Sequence, residues 1–199
     1  MSLQNCLPLI VFVVVATVTP GSATTLAVAS GANFGYRRSL PYMMGIAVGL
    51  GSMAAAAATG LGGIMQANPD LQSALKLIGS LYLVWLATRI ARSASPHAAS
   101  APRNPIGFAG GVWMLWHNPK GWAMTLAAAA SFAVIVHGPG RLAALLGISF
   151  AVAAMTSLSI WCMAGLALAR LLRSERQWRC LNGVLAALLV ASIVAMWLP

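Results

Sequence analysis

Acidic residues are almost missing from this sequence: its 199 residues include two, Asp70 and Glu175. Neither lies inside an apolar run. The aspartate pair of an intramembrane protease and the carboxylate cluster of a cation site therefore have nothing to be built from. Cysteine is scarce too. Cys6, Cys162 and Cys180 form no CxxC and no metal spacing, so they read as small apolar residues, with no metal and no cofactor. No Lys or Arg stands between Met1 and Cys6, although "GSA" at 21–23 offers small residues. A cleaved leader needs a positive start, so the first segment is kept as a membrane helix. Strict in-out alternation is absent as well, and "MAAAAATG" or "LAAAAS" would face neither lipid nor lumen consistently, which excludes an outer-membrane barrel.

What is present is apolar. Hydrophobic residues make up 60% of the chain and charged ones 7%, against about 25% charged in a soluble domain. Six apolar segments lie at about 6–29, 39–64, 73–92, 106–134, 141–169 and 180–198. Each comes near or passes the roughly 20 residues that cross a bilayer core. The expected fold is an all-α integral membrane domain of six transmembrane helices. The net charge of +10 does not signal nucleic acid, because no polar surface exists to hold it. Basic residues gather instead in alternate loops. Arg37, Arg38, Arg89, Arg92, Arg103, Arg170, Arg173, Arg176 and Arg179 fall on one side, with Arg141 and Lys76 on the other. Positive charge marks the cytoplasm, so both termini are expected in the periplasm of a bacterial inner-membrane protein.

The chain echoes itself. Pro20 and Pro119 are 99 residues apart, Gly45 and Gly147 102, and Gly79 and Gly183 104. Three spans per copy place the second copy upside down, as in many secondary transporters. Repeat one would cover about 1–92 and repeat two about 106–199, joined by a Ser-, Ala- and Pro-rich loop at 93–105, all within one transporter domain. In that plan the two interrupted helices meet near the midplane and form the substrate site. The interruptions are "TPGS" at 19–22 and "NPK" at 118–120. Proline removes a backbone donor and frees a carbonyl, and such groups persist only beside protein or a wet cavity.

Pro20, Gly21, Ser22, Asn118, Pro119 and Lys120 are accordingly the expected substrate-binding residues. Lys120 carries the most weight, since a lysine at mid-membrane costs at least about 2.5–3.5 kcal/mol. Either it is neutral, or it bonds freed carbonyls, or its partner arrives as ligand; as a plain structural residue it would snorkel or cap the break. His117 adjoins the break as the candidate for proton transfer, though a lone histidine is more often a packing residue. Thr24 and Tyr82 are candidate pocket walls, with Ser22, Thr25 and Asn33 along a path; the bland reading of each is ordinary helix packing. Tryptophans near helix ends read as interfacial anchors.

"TPG", then "GYRRS" and "GIAVG", then "LKLIGSLYLVWLATRIARS", then "NPK" resemble the LysE/RhtB family of amino-acid exporters over nearly the whole chain. "YLVWLATRIARS" and "CLNGVLAALLV" look most like the branch that exports cysteine and O-acetylserine. The resemblance implies a bacterial inner-membrane efflux permease driven by the proton gradient, moving a small amino acid or a derivative to the periplasm. It implies no enzyme activity; the partners are the substrate, the bilayer and, as a candidate, a second copy in a homodimer. One departure stands out. The family reads Pro-Gly-Pro-Asn in the first helix, and this chain has Pro20-Gly21-Ser22-Ala23. The alternatives from other classes are a metal-cation efflux permease and a non-transporting membrane assembly protein.

Overall fold

A computed structural model describes residues 3–61, 69–92, 104–133, 138–172 and 174–197. Most of the loop expected at 93–105 lies outside them, as do Arg103, Arg173, His97 and His137. The described residues form eight α-helices and no strand. They are α1 (Leu3–Val18), α2 (Ser22–Phe34), α3 (Tyr36–Ala56), α4 (Pro69–Ala91), α5 (Phe108–Trp116), α6 (Pro119–Phe132), α7 (Pro139–Leu171) and α8 (Glu175–Trp197). The first expected span is thus two helices, bent by 58° at Thr19–Gly21. The fourth is also two, parted at His117 and Asn118.

Each break has a local cause. Gly21 is extended (φ −171°), and its N–H donates to Thr24 Oγ1 at 2.8 Å while that hydroxyl donates back to the Gly21 carbonyl at 2.9 Å. One hydroxyl therefore closes the first turn of α2 from both ends. At the second break Asn118 is the N-cap: its Oδ1 accepts the Lys120 N–H at 3.0 Å, and Pro119 takes the first helical position. There its missing N–H removes no helical bond, so Pro119 starts α6 and does not merely interrupt α5. The breaks are also less alike in depth than equal spacing implies. α1 has 16 residues before its break and α5 has nine, about 24 and 14 Å of helix.

The second expected span departs from a plain α-helix. After Ala56 it widens into a π-helical turn, Ala57–Leu61, in which Gly60 takes φ 96°. Only glycine enters that region without strain.

α3 and α7 form the centre, and Tyr42, Met43, Ile46, Met53, Leu146 and Phe150 are almost wholly buried between them and their neighbours. Backbones approach closely where glycines allow it. A Cβ on Gly31 of α2 would strike the Cys162 carbonyl of α7, and one on Gly165 of α7 would strike the Val28 carbonyl of α2. The same reciprocity joins Gly45 of α3 to Phe108 and Gly111 of α5 to Tyr42. Small residues that let helices touch are the usual means of association where lipid removes any hydrophobic drive.

Several contacts have a counterpart in the other half, though of unequal extent. α2 packs on α7 and α3 on α6; α1 packs on α7 and α3 on α5; α2 packs on α8 and α4 on α6. α3 with α7 and α4 with α8 pair directly.

The outer surface is apolar. Leu7, Ile10, Val11, Val14, Val15 and Val18 line one exposed face of α1, and Ile148, Val152 and Ile160 one of α7. Among the described residues, 36–60 and 139–171 are long and apolar enough to cross a membrane, and the bent pair α1–α2 makes a third candidate.

Candidate functional site

The two breaks meet. Asn118 Nδ2 donates to Ser22 Oγ at 3.0 Å, across 96 residues of sequence. Lys120 Nζ donates to the Thr19 carbonyl at 3.0 Å, across 101 residues. A Cβ on Gly21 would lie 3.4 Å from Lys120 Nζ, so glycine leaves the ammonium its place. Pro20 itself is exposed and makes no hydrogen bond beyond shaping the turn. Ser22 is buried at the start of α2. The N-termini of α2 and α6 thus face one another with a lysine between them. Each helix start carries partial positive charge, and the lysine adds a full one.

The carbonyls bared at the end of α1 are taken up by side chains from other helices. Ser157 Oγ of α7 donates to the Thr17 carbonyl at 2.8 Å, and Trp161 Nε1 donates to the Val18 carbonyl at 3.3 Å. With Lys120 on Thr19, three successive carbonyls each have a donor. At the second break Trp122 Nε1 donates to the Trp116 carbonyl at 2.9 Å. Trp161 and Trp122 therefore hold broken backbone. Sequence reasoning missed Ser157 and Trp161, which lie in an unbroken helix with no local sign of their partners.

The breaks flank a cavity of about 40 Å³, lined among others by Thr17, Gly21, Thr24, Asn118, Lys120 and Gly121. On its other flank Lys120 borders an open apolar groove of about 760 Å³ between α1 and α6, lined by Leu7, Val11, Phe12 and Met124.

The remaining expected residues fall out differently. Thr24 lines the cavity, but its hydroxyl is committed to Gly21. His117 ends α5, where its ring nitrogen Nδ1 donates to the Trp113 carbonyl at 2.8 Å and the ring lies 3.9 Å from that of Trp113. The side chain of Tyr82, on α4, lies outside the described residues. Asn33 lies at the far end of α2, 11 residues from Ser22, or about 16 Å along the helix. Among the described residues no three His, Cys, Asp or Glu side chains converge to hold a metal ion.

Helices broken in pairs, starts converging on a lysine and an apolar exterior together fit a helical membrane transporter. The sequence agrees with this. Residues 14–196 match the model of the LysE type translocator family, and the chain belongs to that family. It is a multi-pass membrane protein of amino-acid export. It is 30% identical over 181 residues to the cysteine/O-acetylserine efflux protein of Klebsiella pneumoniae subsp. pneumoniae, covering 90% of each chain. It is also 29% identical over 93 residues to an uncharacterized membrane protein of Vibrio cholerae serotype O1, covering 47% of this chain and 45% of the relative. No solved structure matches.

Proposed function

We propose that this protein is a secondary exporter that carries a small amino acid, or a derivative such as an O-acylated serine, from the cytoplasm to the periplasm across the bacterial inner membrane. The juxtaposition of Lys120 with the backbone of the other break carries this reading. A substrate carboxylate would displace the Thr19 carbonyl from the ammonium. It would then also meet the opposed starts of α2 and α6, whose partial positive charge favours an anion.

The contacts shared between the halves favour two related repeats, about 1–92 and 106–199; three spans per copy make the second inverted, and the basic loops argue for both termini in the periplasm. Rocking one repeat against the other would open the cavity to each side in turn. Where the family carries a second proline, this chain has Ser22, and its hydroxyl receives the Asn118 amide. The departure thus replaces a stiff bend by a polar tie between the breaks. Proton coupling, with no carboxylate in the spans, falls to Lys120 or to the zwitterion; His117 is turned back on its own helix.

Uptake of radiolabelled cysteine and O-acetylserine into inverted membrane vesicles tests the proposal. Accumulation or exchange that Lys120→Ala abolishes, with normal membrane insertion, supports it. Unchanged transport in that variant removes the site assignment, and no movement of any amino acid removes the function.

A further inference from the structure

A second cavity, of about 230 Å³, opens at the end of the bundle where α2 and α4 finish. It is lined by Asn33 and Ser30 of α2, Tyr42 of α3, Arg89 of α4, and Asn104 with Ile106 ahead of α5. That is several times the volume of the cavity at the breaks. Arg37 and Arg38 lie at the same end, so in the topology proposed above it faces the cytoplasm.

The polar groups here are unevenly satisfied. Asn33 Nδ2 donates to the Ala29 carbonyl at 2.8 Å, yet its Oδ1 is buried without a hydrogen-bond partner. Ser30 and Ser39 share a hydrogen bond of 2.7 Å, so their hydroxyls are engaged. A buried acceptor left unpaired is unfavourable in the empty protein and is relieved by a ligand donor. Across the cavity the Arg89 guanidinium lies over the Trp85 ring, 5.2 Å from its centre. An acceptor on one wall and a fixed cation on another, in a mostly apolar chamber, match the two ends of a zwitterion.

Tyr42 links this chamber to the first. Its ring lines the larger cavity, and its hydroxyl donates at 2.9 Å to the carbonyl of Ala23, which lines the smaller one. Tyr42 is almost fully buried, so it forms the partition between the two.

We propose that this cavity is a cytoplasmic vestibule that binds the amino acid before it reaches the breaks, with the ammonium on Asn33 Oδ1 and the carboxylate on Arg89. This rests on the exporter reading and adds a separate site to it. The test compares inverted and right-side-out vesicles carrying wild type, Asn33→Leu or Arg89→Gln. Substrate offered at the cytoplasmic face should show KM raised about tenfold, the effect of losing one hydrogen bond to a charged group. Vmax should stay within about twofold, and KM at the opposite face should not move. Arg89 is exposed, so its variant keeps the test open if Asn33→Leu does not insert. An unchanged KM, or an equal rise on both faces, overturns the vestibule.

Calorimetric titration of cysteine and O-acetylserine into the purified full chain separates the two ideas. Binding that survives Lys120→Ala but is lost in Asn33→Leu and Arg89→Gln supports the vestibule even if the vesicles show no transport. Binding that is absent, or that those two variants leave intact, overturns it whatever the transport result.

Discussion

The ammonium of Lys120 sits 3.0 Å from the carbonyl of Thr19, on the opposite broken helix. One charged group thereby caps the C-terminal end of α1 while standing in the first turn of α6. A cation is favourable at the first of these and unfavourable at the second. In the exporter proposed above, α1 accounts for its position in the empty protein and an anion in the loaded one.

Replacing Lys120 with Met removes a charge that costs about 2.5–3.5 kcal/mol to place in the membrane, so insertion and yield should hold or improve. Export should nevertheless fall at least about tenfold, since a charge-assisted contact to the carboxylate is lost. Immunoblotting of membranes beside an efflux assay checks both halves. Full export by Lys120→Met would refute the assignment.

Ser22 and Asn118 should show coupled stability. Ser22→Ala and Asn118→Ala each break the 3.0 Å tie, and the second also removes the cap on Lys120 N–H. Asn118→Ala should therefore be the worse variant, with the loss of an N-cap worth about 1 kcal/mol. The double variant should be milder than the sum by about 0.6 kcal/mol, the usual size of a hydrogen bond between membrane helices. Unfolding titrations in mixed micelles measure the cycle; strict additivity would mean the tie contributes nothing.

The donors on α1's end should differ in weight. Ser157 is buried and 2.8 Å from its carbonyl, whereas Trp161 is only partly buried and 3.3 Å away. Ser157→Ala leaves a buried carbonyl short of a donor, a loss of about 1–3 kcal/mol. Trp161→Phe should cost less, because its bond is longer and its partner residue Val18 is exposed. Melting of the two variants in detergent ranks them.

Glycines that look equivalent in sequence should respond in opposite directions. Gly31→Ala drives a methyl group into the Cys162 backbone, which only a shift of α2 from α7 relieves. Overpacking of that kind costs about 1–3 kcal/mol. Gly183, inside α8, has nothing within 4 Å of a built Cβ. Gly183→Ala should stabilise the protein by about 0.5–1 kcal/mol through helix propensity. Thermal shifts of opposite sign are the expected readout.

The broken helices were legible because proline and lysine are expensive in an apolar run, and that expense is local. Pro20 and Pro119 announce the breaks, and Asn118 ahead of a proline is a recognisable helix start. The donors that make the breaks tolerable were not legible. Ser157 and Trp161 belong to a helix without a flaw, and only packing tells which carbonyl each will reach. The π-helical turn at Ala57–Leu61 was hidden because alanines and glycines fit an α-helix equally well. Asn33 read as one polar residue on a path; its unpaired oxygen is a property of its surroundings.

The space between the breaks is small, and the lysine at its edge rests on a carbonyl of the protein itself. In the exporter proposed above, an idle carrier of this kind is latched. A passing carboxylate would have to displace Thr19 before the halves come apart, which would suppress reorientation without a passenger and, with it, leakage of ions through an unloaded pathway.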